Sequence, residues 1–381
     1  MSEFLVGRDA LSRTQVRQRT ALEIREGEVL VEIEKCAFTA NNVTYGLSGE
    51  NMRYFDFFPT GSAYLAAIPS WGIARVVVSR AEGIRVGERL YGFLPYAQYA
   101  VLKASTVRPN QFIDLSPHRR DLARIYNTYS RIDAQQDPLY VSRDLEDLMI
   151  LMRPLFLTSW LLMDYAANDM ANESQGTVLL TSASSKTAIG MAYLLKYHRP
   201  ENSNADLRTV GLTSASNVDF VKRIGLYDEV VAYDDAETFL GASNENAEAM
   251  RKHKGLLVDM SGNGKVLQTV LSCLPNASCC RVGLTHWDQD SQGPGKFFFA
   301  PTYAEEVVRR IGAATFDKTT RESFAAYLED VKRNNWCQVQ KVVGADALKR
   351  EFTSALETGF DPSQGMVVTL WPSSDVSNAK L

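Results

Sequence analysis

The chain has 381 residues, 45% of them hydrophobic and 23% charged, a composition that excludes disordered, collagen-like and disulfide-scaffold proteins. Forty-one basic against 45 acidic residues leave a net charge of −4, with no positive excess to neutralise phosphates, so no nucleic-acid partner is expected. The length suits two domains or one large one, and no run approaches the ~18–20 apolar residues that span a bilayer, so no membrane partner is expected either.

Met1 to Arg25 mixes charged and apolar residues without the apolar centre of a signal peptide. The first hundred residues then predict short strands at Val29–Glu34, Ile73–Val78 and Tyr99–Leu102, punctuated by glycine and proline, the pattern of a small barrel or sandwich. Residues 114–147 are charged, carry Pro117 and Pro138, and read as an insertion or linker with a short helix. Leu151–Ala167 is helix-like. From there strands and helices alternate: strands at Thr177–Thr181, Thr209–Thr213, Glu229–Tyr233, Gly255–Asp259 and Arg281–Thr285, with helices at Thr187–His198, Val218–Ile224 and Val266–Leu274 between them. Apolar strands separated by helices predict a parallel sheet with crossovers, which binds ligands at the carboxyl ends of its strands. The tail predicts helices at Arg321–Arg333 and Ala345–Thr358, then a strand at Met366–Leu370 that can return to the first β-rich region.

The stretch Thr177 to Lys196 carries the most information. Strand, polar turn and helix, with a second strand 32 residues on, outline a dinucleotide-binding βαβ unit whose turn offers a helix N-terminus to an anion. No glycine stands between Thr181 and Ala188; Ser182, Ser184, Ser185 and Thr187 supply hydroxyls instead. Hydroxyl donors can replace backbone amides at such a turn, and the alternative is a serine-rich helix cap with no ligand. Lys186 beside Thr187 evokes a P-loop, but both of that motif's glycines are missing and nucleotide hydrolysis is rejected. After the second strand come Ser214, Ala215, Ser216 and Asn217, with no acid to hold a ribose 2′-hydroxyl, which leaves room for a 2′-phosphate. An N-cap for the next helix is the competing reading. Five cysteines without a CxxC and four scattered histidines predict no disulfide framework, no metal site and a reducing, cytoplasmic setting; each is otherwise core or surface filler.

The order of these pieces resembles the medium-chain dehydrogenase/reductase superfamily in its zinc-free, quinone-oxidoreductase-like branch, over nearly the full length. Val86–Gly92 matches "VGDRVYG", Tyr96–Val101 resembles "GYAEYV", Thr39–Thr44 resembles "GVNPxD", and Phe220–Gly225 matches "FVKELG". Leu157-Thr158-Ser159-Trp160 is similar to "LTAY", Thr181–Lys196 aligns with "HGASGGVGxxAxQLAK", Val258–Gly262 resembles "LDSVG", Val282-Gly283 resembles "VG", and Gly365–Val368 the closing "GKIV". The departures are the glycine-free turn, Asn42 and Thr44 in place of the "NPxD" proline and aspartate, and the extra Tyr126-to-Tyr140 segment. The zinc-dependent branch is disfavoured: Cys36 has no GHE after it and no four-cysteine cluster exists.

The resemblance implies an α/β fold, a Rossmann-type doubly wound parallel sheet over residues 126–317 plus a GroES-like β-rich catalytic domain over 1–125 and 318–381, with the active site in the cleft between them. It implies NADPH as cofactor, held by Thr158, Ser182, Ser184, Ser185, Lys186, Thr187, Ala188, Ser214, Ser216, Asn217, Ser261 and Gly283. It implies reduction of an enone, quinone or enoyl thioester: hydride goes to the β-carbon, a donor steadies the enolate oxygen, and an acid protonates the α-carbon. Asn42, Thr44 and Tyr45 fall in the segment that faces the nicotinamide in that family. A tyrosine stays protonated and can donate, which makes Tyr45 the first choice, then Tyr64 and Tyr126, with Tyr129 in the same segment as Tyr126. The run Tyr54–Phe58 either lines an apolar pocket or is plain core. A small-molecule substrate and a homodimer through edge strands near Val282 are the expected partners. The rivals are a non-redox lyase and a non-catalytic scaffold that kept the fold.

Overall fold

The structure is a computed structural model that describes residues 2–18, 22–132, 137–199, 206–241, 245–282 and 294–371. It divides into two compact units, Met1–Leu151 with Cys337–Leu381, and Met152–Trp336.

The first unit begins with β1 (Ser2–Gly7), β2 (Thr14–Gln18), β3 (Glu28–Phe38), α1 (Ala40–Leu47), β4 (Leu65–Ala66), β5 (Pro69–Ser79), β6 (Arg89–Pro95), β7 (Tyr99–Ser105), β8 (Gln111–Asp114), α2 (Arg124–Asn127) and β9 (Thr128–Arg131). Strands β2, β1 and β4 form a small antiparallel sheet. Strands β3, β5, β6, β9, β8 and β7 pair in that order, and β7 pairs back onto β3, so the sheet closes into a barrel with no free edge among those six. The stretch expected to be an insertion or linker is therefore corrected: it supplies β9, without which β6 and β8 would be left unpaired on that side. Four residues are too few to show a strand's alternation in the sequence. A buried arginine pins this stretch. Arg119, 1% exposed, donates from Nε to the Phe57 carbonyl at 3.1 Å and from Nη1 to the Tyr129 hydroxyl at 3.0 Å, with Asp114 at 3.4 Å.

Helix α3 (Glu146–Asp169) follows, and the division between the units falls inside it. Its first residue is anchored in the first unit. The Glu146 carboxylate receives two bonds from Arg89 (2.6 and 2.9 Å), one from the Tyr140 hydroxyl (2.8 Å) and the Lys35 ammonium at 2.8 Å. Burial pushes that carboxyl's pKa up, and these donors outweigh it, leaving it at about 2. Among the described residues, one helical stretch, Arg143–Asp169, is long and apolar enough to cross a membrane by length and composition; 72% of its apolar window is buried inside the fold.

The second unit continues with β10 (Gln175–Leu180), α4 (Lys186–Tyr197), β11 (Asp206–Thr213), α5 (Val218–Ile224), β12 (Glu229–Ala232), α6 (Ala236–Gly241), α7 (Glu245–Lys252), β13 (Lys254–Asp259), α8 (Gly264–Cys273), β14 (Ala277–Val282), β15 (Lys296–Phe298), α9 (Ala300–Ile311) and α10 (Ala313–Arg333). The strands form one parallel sheet in the order β12-β11-β10-β13-β14-β15. Numbered within the sheet this is 3-2-1-4-5-6, the doubly wound order, with its reversal between β10 and β13. Leu179 and Leu257, buried on adjacent central strands, show why these segments read as continuous apolar runs. The strand expected at Arg281–Thr285 begins earlier, as β14 from Ala277, and residues 283–285 lie outside the described residues; β15 adds a sixth strand that the sequence did not announce.

The chain then returns to the first unit as β16 (Gln338–Val343), α11 (Ala345–Thr358) and β17 (Gln364–Thr369). Strand β17 pairs antiparallel with β3, as the tail pattern predicts, and β16 pairs parallel with β17. Gln338, Gln340 and Lys341 hide β16 in the sequence.

Candidate functional site

The first candidate site is the turn between β10 and α4, beside the reversal of the sheet. It is built from small polar side chains that hold one another. Thr181, fully buried, donates to Asp259 Oδ1 at 2.7 Å across the gap between β10 and β13, and its oxygen accepts the Met260 and Ser261 amides at 2.8 and 3.1 Å. The Ser261 hydroxyl donates to the same Asp259 oxygen at 2.9 Å. Ser182 takes a left-handed conformation, φ +51°. The buried Ser184 hydroxyl accepts from Thr213 at 3.4 Å and from the Asn217 amide at 3.1 Å, which ties the turn to the end of β11. Ser185 is the N-cap of α4: its hydroxyl accepts the Ala188 amide at 3.2 Å. Lys186 is the first residue of the helix, as the sequence places it. Ser214 and Ser216 share a hydroxyl contact at 3.2 Å on the exposed side.

Several amides of the turn are engaged within the protein. Ser182 donates to the Tyr233 hydroxyl (2.8 Å), Ala183 to the Leu212 carbonyl (3.0 Å) and Ser185 to the Ser182 carbonyl (2.7 Å). The hydroxyls of half-buried Ser182, Ser185 and Thr187 and the N-terminus of α4, where Lys186 stands, are donor chemistry that a ligand can use. That set fits a phosphate-bearing group, because Asp259 is consumed by Thr181 and Ser261 and is buried. The remaining residues expected at this site are dispersed. Thr158 lies in α3 and its hydroxyl donates back to the Pro154 carbonyl at 3.4 Å. Its neighbour Ser159, which the sequence reading passed over, is buried and donates to the Thr187 carbonyl in the first turn of α4 at 2.7 Å. Gly283 lies outside the described residues.

The second candidate site is an aromatic cluster in the first unit. It brings together Tyr45 from α1 and Tyr126 from α2, two of the expected donors, and adds Tyr54 and Trp71, with Phe57 and Phe93 packed against them. Ring centroids lie 4.5 Å apart for Tyr45–Tyr54, 4.6 Å for Phe93–Tyr126 and 5.8 Å for Trp71–Tyr126. The Tyr54 and Tyr126 hydroxyls are 3.3 Å apart, Trp71 Nε1 donates to the Tyr45 hydroxyl at 3.4 Å, and the Tyr45 and Tyr126 rings meet edge to face at 6.4 Å. Burial pushes all three phenols above the ordinary tyrosine pKa, so they stay neutral and keep a proton to give.

The other expected donors are placed differently. Tyr64 is 77% exposed on a loop, apart from the cluster. Asn42 is buried and committed at both ends: its oxygen accepts the Thr39 amide at 2.8 Å and its nitrogen donates to the Pro69 carbonyl at 3.0 Å, a capping contact for α1. Thr44 donates to the Ala40 carbonyl within its own helix at 3.2 Å. Tyr129 is buried, and its hydroxyl donates to the Phe93 carbonyl at 2.6 Å. In the run Tyr54–Phe58, Tyr54, Phe55 and Phe57 are core residues. Tyr54 was visible only as part of that run; its contact with Tyr126, 72 positions away, leaves no local signal. Among the described residues no group of three or more His, Cys, Asp or Glu side chains is gathered to hold a metal ion.

The sequence profile of a family described as "Protein of unknown function (DUF2855)" matches residues 36–361. None of the curated proteins matches the chain by sequence. Among solved structures, CurA from Vibrio vulnificus in complex with NADPH is similar at a TM-score of 0.56 and 14% identity, over 97% of this chain and 99% of that one. The CurK enoyl reductase is similar at 0.53 and 12%, over 97% and 99%. Etr1p in a complex with NADP and crotonyl-CoA is similar at 0.55 and 12%, over 97% and 99%. At these identities the likeness is one of fold.

Proposed function

The chain belongs to the DUF2855 family, and we propose that it is a zinc-independent, NADPH-dependent reductase of an activated double bond or carbonyl: an enone, a quinone or an enoyl thioester. One observation carries this reading. The doubly wound sheet puts a hydroxyl-lined turn and the N-terminus of a 12-residue helix beside its reversal, where such sheets take dinucleotides. The similar folds described above, solved with NADPH or with NADP and crotonyl-CoA, favour the same cofactor and substrate class.

A bound nicotinamide supplies the hydride. The chain's own residues do the rest. Ser182, Ser185, Thr187 and Lys186 bind phosphate oxygens through hydroxyls and one cation. Ser214, Ser216 and Asn217 leave the ribose 2′-position without an opposing carboxylate, which favours NADPH over NADH. Tyr45 Oη, backed by Tyr126 and Tyr54, holds the proton that completes the reduction, and its buried setting keeps that proton in place at neutral pH. With no metal in the scheme, the enolate oxygen is steadied by hydrogen bonds alone.

The engaged amides of the turn favour a second reading, a scaffold that keeps the fold without redox chemistry. NADPH oxidation by protein stripped with a chelator, in the presence and absence of an enone, separates the two. Enone-dependent oxidation supports the reductase; nicotinamide binding without turnover supports the scaffold.

A further inference from the structure

A serine in the left-handed region carries a steric cost that a glycine avoids, so Ser182 at φ +51° needs something to hold it. The structure supplies two tyrosines from the segment around β12. The Tyr233 hydroxyl accepts the Ser182 amide at 2.8 Å, and the Tyr227 hydroxyl donates to the Ala183 carbonyl at 2.8 Å. The two bonds grip consecutive residues of the turn, one on its N–H and one on its C=O. Room for Tyr227 comes from β11. A Cβ on Gly211 would stand 2.8 Å from Tyr227 Cδ1 and 2.9 Å from the Ala183 Cβ. The close approach that a glycine in the turn would have allowed has moved to the neighbouring strand.

We propose that Tyr227 and Tyr233 are the positioning residues of a glycine-free dinucleotide turn, fixing its backbone so that the side-chain hydroxyls of the turn are held at the helix N-terminus for ligand phosphates. The identity of the ligand rests on the function proposed above; the bracing itself does not. Burial pushes both phenols above the ordinary tyrosine value, so each remains a neutral hydroxyl across the physiological range. Tyr227 therefore always has a proton to donate, and Tyr233 accepts the amide through its oxygen and keeps its own proton.

The test uses the full chain and two variants that keep the ring, Tyr227→Phe and Tyr233→Phe. Amide hydrogen exchange over the peptide 180–188 is measured without nucleotide, beside a control peptide in β13. Exchange in the turn is expected to rise about tenfold in each variant, the loss of one hydrogen bond, while the control peptide is unchanged and the melting temperature falls by no more than about 4 °C. The Kd for NADPH is expected to rise about tenfold as well, with KM for the second substrate unchanged. Unchanged exchange in both variants overturns the proposal. So does tighter NADPH binding by Tyr233→Phe, which would make the phenol a plug on the Ser182 amide rather than a brace. If Tyr227→Phe fails to fold, Tyr233→Phe decides alone, since it keeps the ring that packs against the core and removes only the hydroxyl. Wild-type protein that binds no nicotinamide defeats the proposed function, and the exchange data still decide the bracing.

Discussion

The two candidate sites solve the same chemical problem in opposite surroundings. Both present hydroxyl groups where the resembled family is richer in glycine or, in its other branch, in zinc ligands. In the aromatic cluster the hydroxyls belong to Tyr45, Tyr54 and Tyr126 and sit among rings, where burial raises their pKa and makes each a reluctant acid. At the turn they belong to small side chains at a half-exposed helix start, bound mostly to one another. The first arrangement suits holding a proton, the second suits receiving an anion. The difference teaches that hydroxyl type and burial act together: a buried phenol keeps its one proton, and small aliphatic hydroxyls at a helix start offer several donors to an anion.

The largest expected effect tests the donor side. Tyr45→Phe should lower kcat by roughly 10²–10⁴-fold, the usual worth of a positioned acid, with NADPH affinity unchanged. An equal loss in Tyr126→Phe with none in Tyr45→Phe would move the donor to Tyr126 and sharpen the picture; full activity in both would break it. The pH–rate profile carries the same sign. The neutral phenol is the active form and its pKa is raised by burial, so activity should persist through pH 10 and fall only above it.

Next in size is a stability effect in the barrel unit. Removing the charge in Glu146→Gln takes a buried carboxylate from between Arg89 and Lys35, which keep Glu34 and Asp147 as partners, and should cost about 3 kcal/mol at pH 7, read by denaturant unfolding. The carboxyl is depressed from 4.5 to about 2 in the folded chain, so its contribution is present above pH 4.5 and lost as the pH falls towards 2. The wild type should lose stability over that window, and the variant should lose less.

The smaller effects belong to the turn. Lys186→Ala should weaken NADPH binding by roughly 1.5–3 kcal/mol, the worth of a hydrogen bond to a charged group. Wild-type affinity in the variant would make Lys186 an ordinary surface lysine. The smallest expected difference is between cofactors: NADPH should bind more tightly than NADH, because no acid stands between Thr213 and Val218. Calorimetry with both nicotinamides measures it, and equal affinities would remove the argument from the missing acid.

The parallel sheet was legible because its central strands are buried on both faces and therefore read as unbroken apolar runs. The start of α4 and the αL glycine closing α5, Gly225 at φ +69°, also follow from local chemistry. Strands β9 and β16 were hidden, one by shortness and one by polar residues on an edge. At the sites, sequence position named Tyr45 and Tyr126 but not the contact between them, and it named the serines but not the tyrosines that grip their backbone. Those contacts join residues 44 to 81 positions apart, and no periodicity encodes them.

The central claim is that the glycine-free turn binds a nicotinamide dinucleotide for reduction. The most direct test is titration of NADPH into chelator-treated wild-type protein, followed by its fluorescence, and then addition of an enone. The account predicts saturable binding, tighter than for NADH, and oxidation of NADPH that depends on the enone. Absence of binding by both nicotinamides would contradict it.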